Sequence, residues 1–390
     1  MDPKDKKILE LLFQLSKCDK MLNSYEIAER IPLGNKKVTD RTIRRWFKEL
    51  HEKHDFHYYP SPKRETYGLS YFYVIAKDLN EEVLRVIPYI TFASRATEVG
   101  TFSNVTIAFY WIPSNNKGDF IKFWRKVKEK GLASSVQVRE TKSPIAFYSP
   151  LHQVIDDTSN RDHNEEDFQF FMSKVAKSLH SKPEIHTVVK KHPLIVPILL
   201  EYYRDLSSSH KTWSQLKKKY GESIWNFISD HKIKFKKKEG LGRMYVKKLL
   251  DELHNNFDTF FQQIRVLYNP LVEDKIIFYL TIDSPSLSDL EKALREIYKN
   301  SIFTTVCPNL KKPSILFVVT DHKGWMNITN NILPKLPGKK KIYMYNWDDS
   351  QKFQNREYEK LEYTKLFDPE TISWKFETEK YIKALDRIAK

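Results

Sequence analysis

The feature that most constrains this 390-residue chain is that its pattern is laid down twice. Residues 3 to about 140 read as amphipathic helices followed by alternating strand and helix signals. From about 192 the same plan restarts. Internal repetition has to be found before any single element is interpreted, because it fixes how many units share the core. A chain of this length has room for two such units, each with its own apolar interior.

In the first copy, Asp2 can cap a helix that begins at Pro3, where a missing N–H costs nothing. Ile8, Leu9, Leu11, Leu12 and Leu15 then recur with helical spacing. Ser24 caps a short stretch carrying Tyr25, Ile27, Ala28 and Ile31, which Pro32 and Gly34 end. Thr39 or Asp40 caps a third helix with Ile43, Phe47 and Leu50 on one side, and Arg41, Arg44, Arg45 and Lys48 elsewhere. Trp46 reads as core. This order is that of a helix-turn-helix unit. In FHYYPSPKRETYGLSYFYV, two aromatic strand patterns flank a basic turn, which reads as a wing.

Net charge supports a polyanionic partner: 66 Lys and Arg against 50 Asp and Glu give +16, with a pI near 9.4. The third helix offers Thr39, Asp40, Arg41, Thr42, Arg44, Arg45 and Lys48 to DNA, while Lys36, Lys37, Lys63 and Arg64 suit phosphates. The alternative is an amphipathic helix with a solvated basic face.

"DPKDKKILELL", "SYEIAERI" and "VTDRTIRRWFKEL" together resemble the DNA-binding half of the Lrp/AsnC (leucine-responsive) transcription regulators. That resemblance implies a following ferredoxin-like sensing domain of order β-α-β-β-α-β. The residues give the order independently: strands at 70–77, 91–99, 105–112 and 134–140, helices at 80–88 and 117–130. Gly100 and Gly131 fall where the family places turn glycines. The family's acidic residue after the first glycine is replaced by Ser103 and Asn104, so a small-molecule effector is not expected.

The second copy runs through a divergent winged helix (191–250) to strands at 275–282, 302–307, 314–320 and 340–346, with helices at 287–298 and 323–335. A helix at 167–179 after the first copy is paralleled by TEKYIKALDRIAK after the second. The second reading helix is acidic. Its basic residues lie instead at Lys217, Lys218, Lys219, Lys234, Lys236, Lys237 and Lys238, suiting phosphate contact, or else that unit only packs.

The expected fold is therefore α+β: two tandem copies of winged helix-turn-helix plus ferredoxin-like domain. Boundaries fall at 1–66, 67–149, a linker and helix at 150–190, 191–250, 251–350 and a C-terminal extension at 351–390. The expected function is a DNA-binding transcription regulator. Its alternatives are an architectural nucleoid-type protein or a replication initiator. Double-stranded DNA is the expected partner, with a homodimer or an intrachain pseudo-dimer. Two cysteines, Cys18 and Cys307, exclude a disulfide framework. No apolar run approaches a membrane span and no signal-peptide core opens the chain, so a cytoplasmic, nucleoid-associated protein is expected. No enzyme motif, cofactor or metal is expected: His51, His54 and His57 are spaced by three but lack further ligands.

Overall fold

Apart from Ser70, SYFYVIA has only apolar and aromatic side chains, and a strand made of it must be covered on both faces. In the computed structural model it forms β2 (Leu69–Lys77), buried from Leu69 to Ala76. The structure describes residues 3–18, 22, 24–30, 38–54, 57–149, 165–193, 196, 255–267, 275–284, 286–346 and 366–389. The second winged helix expected at 191–250 lies almost wholly outside them, as do Lys36, Lys37, Lys217, Lys218, Lys219, Lys234, Lys236, Lys237 and Lys238.

The chain opens with α1 (Pro3–Ser16), α2 (Ser24–Arg30) and α3 (Asp40–His54). Leu11, Leu12, Leu15, Ile27, Ile43, Trp46, Phe47 and Leu50 are buried together, so the apolar spacing read from the sequence is the core of this helical unit. The Thr42 N–H donates to Thr39 Oγ1 at 3.4 Å, which makes Thr39 the cap.

After β1 (His57–Pro62) and β2 come β3 (Ile90–Glu98), β4 (Asn104–Pro113), α4 (Lys117–Glu129), β5 (Ser135–Thr141) and β6 (Ile145–Tyr148). Then follow α5 (Glu165–His180), β7 (Phe261–Leu267), β8 (Ile276–Ile282), α6 (Leu287–Lys299), β9 (Phe303–Cys307) and β10 (Ser314–Thr320). α7 (His322–Asn327), β11 (Lys340–Tyr345) and α8 (Thr378–Ile388) come after them. The expected 80–88 helix is one 3-10 turn at Glu81–Arg85, capped by Asn80. Gly100 and Gly131 take positive φ, as turns at those places require.

One antiparallel sheet of nine strands has the order β5-β2-β4-β3-β11-β8-β10-β9-β6. Each half repeats one strand arrangement: β5-β2-β4-β3 matches β11-β8-β10-β9 position for position. The halves join where Glu98, Thr97 and Ala96 of β3 pair with Tyr343, Met344 and Tyr345 of β11. The molecule is thus a mixed α+β fold around a large antiparallel sheet.

The two edge strands, β5 and β6, are consecutive in sequence. In a flat sheet they would lie about 38 Å apart, eight spacings of about 4.8 Å. The link through Lys142, Ser143 and Pro144 can span only about 14 Å. The sheet must therefore roll. Its ends meet where Thr141 Oγ1 donates to the Cys307 carbonyl at 3.0 Å and the Lys142 N–H to the Pro308 carbonyl at 3.3 Å.

The halves also exchange covers. Phe147 of β6 packs on Phe168 and Phe171 of α5, and these rings meet Tyr298 of α6 in the second half. In return, the C-terminal segment lies on the first half, where Tyr89 donates to the Lys375 carbonyl and Lys130 pairs with Asp386 of α8.

The expected wing does not form. β1 pairs antiparallel with β7 from the second half, Tyr58 opposite Val266, and β2 leaves to the nine-stranded sheet. Between them, after Lys63, lies a 3-10 turn at Arg64–Thr66. The reason is burial: β2 carries apolar or aromatic side chains on both faces and cannot be one leg of an exposed ribbon.

Candidate functional site

Rolling gives the sheet an outer and an inner face. Strand alternation places Phe72 and Tyr110 outward, against Phe120 and Trp124 of α4. Phe278 likewise points outward onto Trp325 of α7. The inner face carries Tyr71, Tyr73, Phe109 and Trp111 from the first half and Tyr279, Phe317, Tyr343 and Tyr345 from the second.

That face is concave. β4 and β8 are three spacings apart, about 14 Å if flat, yet the Phe109 and Tyr279 rings have centroids 6.2 Å apart. Ser94 Oγ and Tyr279 Oη share a hydrogen bond of 2.8 Å, and Tyr73 donates to the Pro313 carbonyl at 3.0 Å across the same space. Ring contacts run on from Tyr71–Trp111 and Tyr71–Phe109 through Phe92–Phe109 to Tyr279–Phe317, Phe317–Tyr345 and Phe303–Phe317. Phe92, Phe303, Thr305, Phe317 and Tyr345 on this face are only half-buried.

Two cations stand at the Tyr71 end. The Arg64 guanidinium lies over the Trp111 ring, 5.4 Å from its centroid. Arg265 of β7 donates to the Pro144 carbonyl at 3.1 Å. Burial pushes the Tyr71 hydroxyl well above its ordinary range, with Arg265 and Arg64 opposing that shift, so the phenol stays protonated. Burial likewise pushes the Cys307 thiol up to about 12, which leaves it without thiolate character.

At the other end of β3 a carboxylate is locked between the halves. Glu98 is 4% exposed and accepts from Lys77 at 2.6 Å, Lys341 at 2.7 Å and Thr101 at 2.9 Å. Burial alone would raise its pKa, but the Lys341, Lys77 and Thr101 hydrogen bonds outweigh burial and hold it at about 2.

The residues read as DNA contacts lie elsewhere. On α3, Arg41, Arg44, Arg45, Lys48 and Thr39 are exposed, while Asp40 and Thr42 are half-buried. Arg44 is engaged by Asp40 and by Ser24 Oγ, Lys48 faces Glu52 at 3.7 Å, and Thr39 bonds Thr42 at 3.1 Å. Lys63 is half-buried and its N–H donates to the Phe260 carbonyl. Among the described members of the set, Arg64 alone reaches the aromatic face. The remaining members of that face were read from the sequence only as strand residues. Among the described residues no group of three or more His, Cys, Asp or Glu could hold a metal, and no helix is long and apolar enough to cross a membrane.

No family profile matches the chain, and no curated protein does. Among solved structures, the crystal structure of the siroheme decarboxylase NirDL is similar at 12% identity and a TM-score of 0.39, covering 98% of each chain. The same enzyme in complex with an iron-uroporphyrin III analogue is similar at 12% identity and 0.37, over 89% of this chain and 97% of that one. Both are structures of an enzyme. That stands against the expectations of a DNA-binding transcription regulator, of an architectural protein or replication initiator, of no enzymatic activity and of DNA as partner, and they are withdrawn. On the structural side, the wing that was to contact phosphates is replaced by the β1–β7 pairing. Nucleoid association rested on the DNA reading and goes with it.

Proposed function

We propose that this chain is an enzyme acting on a planar, largely apolar small molecule that carries acid groups, held on the concave aromatic face of the rolled sheet. One observation carries the reading: rings from both halves line a single face, with the Arg64 and Arg265 guanidinium groups at one end. Aromatic faces stack on planar ligands, and a guanidinium fork pairs with carboxylates. Pockets of this kind combine an apolar lining with a few polar anchors. The Tyr71 hydroxyl, kept as a phenol by burial, would hydrogen-bond a bound ligand rather than give up its proton.

The same reading takes the chain as two joined copies of one unit of Lrp/AsnC type, a helical head followed by a ferredoxin-like domain. The repeated strand arrangement and the exchanged covers, α5 on the second half and α8 on the first, support it.

Absorbance titration with iron-uroporphyrin is the test. One saturable site per chain is expected. Thr305→Trp, which fills the half-buried part of the face, should weaken binding at least tenfold while the melting temperature is kept. Absence of a saturable spectral change, or equal affinity in Thr305→Trp, would sink the reading.

A further inference from the structure

A second cavity lies outside the rolled sheet, between the 3-10 turn Glu81–Arg85 and α8. It encloses about 570 Å³, within the range of small-molecule sites. Its floor is apolar: Val86, Pro88, Leu366, Ala384 and the ring of Tyr381, which is 5% exposed. Its rim is cationic, formed by Arg85, Lys375 and Lys380, with Glu377 as the sole acid of the lining.

The charges do not cancel. Glu377 is taken by Lys380 at 2.8 Å. Arg85 and Lys375 are exposed and have no carboxylate within ion-pair distance among the described residues. The walls are held in place from below: the Lys375 N–H donates to the Leu366 carbonyl at 2.7 Å, and Tyr89 donates to the Lys375 carbonyl. Lys130 and Asp386 tie α8 to α4 on the far side.

An apolar floor under a rim with three cations and one acid fits one ligand chemistry. The body must be hydrophobic to displace water from Val86, Leu366 and Ala384, and the head must be anionic to meet Arg85 and Lys375. We infer that this cleft binds a small amphipathic organic anion, with a carboxylate or sulfonate head and an aromatic or alkyl body. Because it is built from the turn after β2 and from the C-terminal helix, it shares no lining residue with the aromatic face.

The probe is 8-anilinonaphthalene-1-sulfonate, followed by its fluorescence on the full chain. One saturable site is expected. Arg85→Glu with Lys375→Glu, both at exposed positions, should weaken it at least tenfold without moving the melting temperature. Ala384→Trp should close the cleft; if that variant loses stability, the charge-reversal variant still decides. Thr305→Trp, which fills the aromatic face, should leave the sulfonate affinity within about twofold. Failure of iron-uroporphyrin to bind would therefore count against the first site and leave this one standing. No saturable fluorescence in the parent, equal affinity in the charge-reversed variant, or loss of binding in Thr305→Trp would each overturn the inference.

Discussion

Glu98 shows how one residue can hold two halves of a chain together. It accepts from Lys77 of the first half and Lys341 of the second while itself buried. Its folded pKa of about 2 lies below the ordinary 4.5, so the stability it supplies is complete above about pH 4.5 and is lost as pH falls through about 2. Glu98→Gln should cost roughly 2–3 kcal/mol at pH 7, toward the low end for a broken buried pair because Lys341 is half exposed. Urea unfolding at pH 7 and at pH 2.5 checks this. The gap between parent and variant should narrow in acid; a gap independent of pH would remove the carboxylate charge from the account.

At the level of elements, what could be read from the sequence was local and what could not was distant. Period and punctuation place the strands to within a residue: 314–320 was expected and is found, and 105–112 became Asn104–Pro113. Gly100 and Gly131 mark their turns because a positive φ needs them. The wing failed because partner choice leaves no local trace. His57–Pro62 has the aromatic composition of a hairpin leg, but its partner lies some two hundred residues away at Phe261–Leu267. β6 was passed over for the same reason, being four residues after a proline with its partner β9 in the other half. The aromatic face was invisible as a site, since Tyr71, Phe109, Tyr279 and Phe317 each look like ordinary strand residues until the sheet rolls. The β3–β11 junction can be tested by itself. Thr97 and Met344 are directly opposite, so Thr97→Cys with Met344→Cys should form an intrachain disulfide on mild oxidation, seen as a mass loss of about two hydrogens and a faster-migrating band. Free thiols after oxidation would mean the junction is not formed in that register.

For the whole molecule, the consequence of two joined halves is one shared sheet. β3–β11 joins the halves in its middle, and at one edge β7 side chains cover β6, where Gln263 accepts from the Ala146 N–H and Arg265 reaches Pro144. The lining of its inner face sets what the molecule can hold. Diffraction from crystals grown with iron-uroporphyrin tests that claim most directly. The account expects one ring system per chain stacked on the half-buried Phe317 and Tyr345, with acid groups on Arg64 and Arg265. Ligand density confined to the outer surface, with the inner face occupied only by protein side chains, would contradict it.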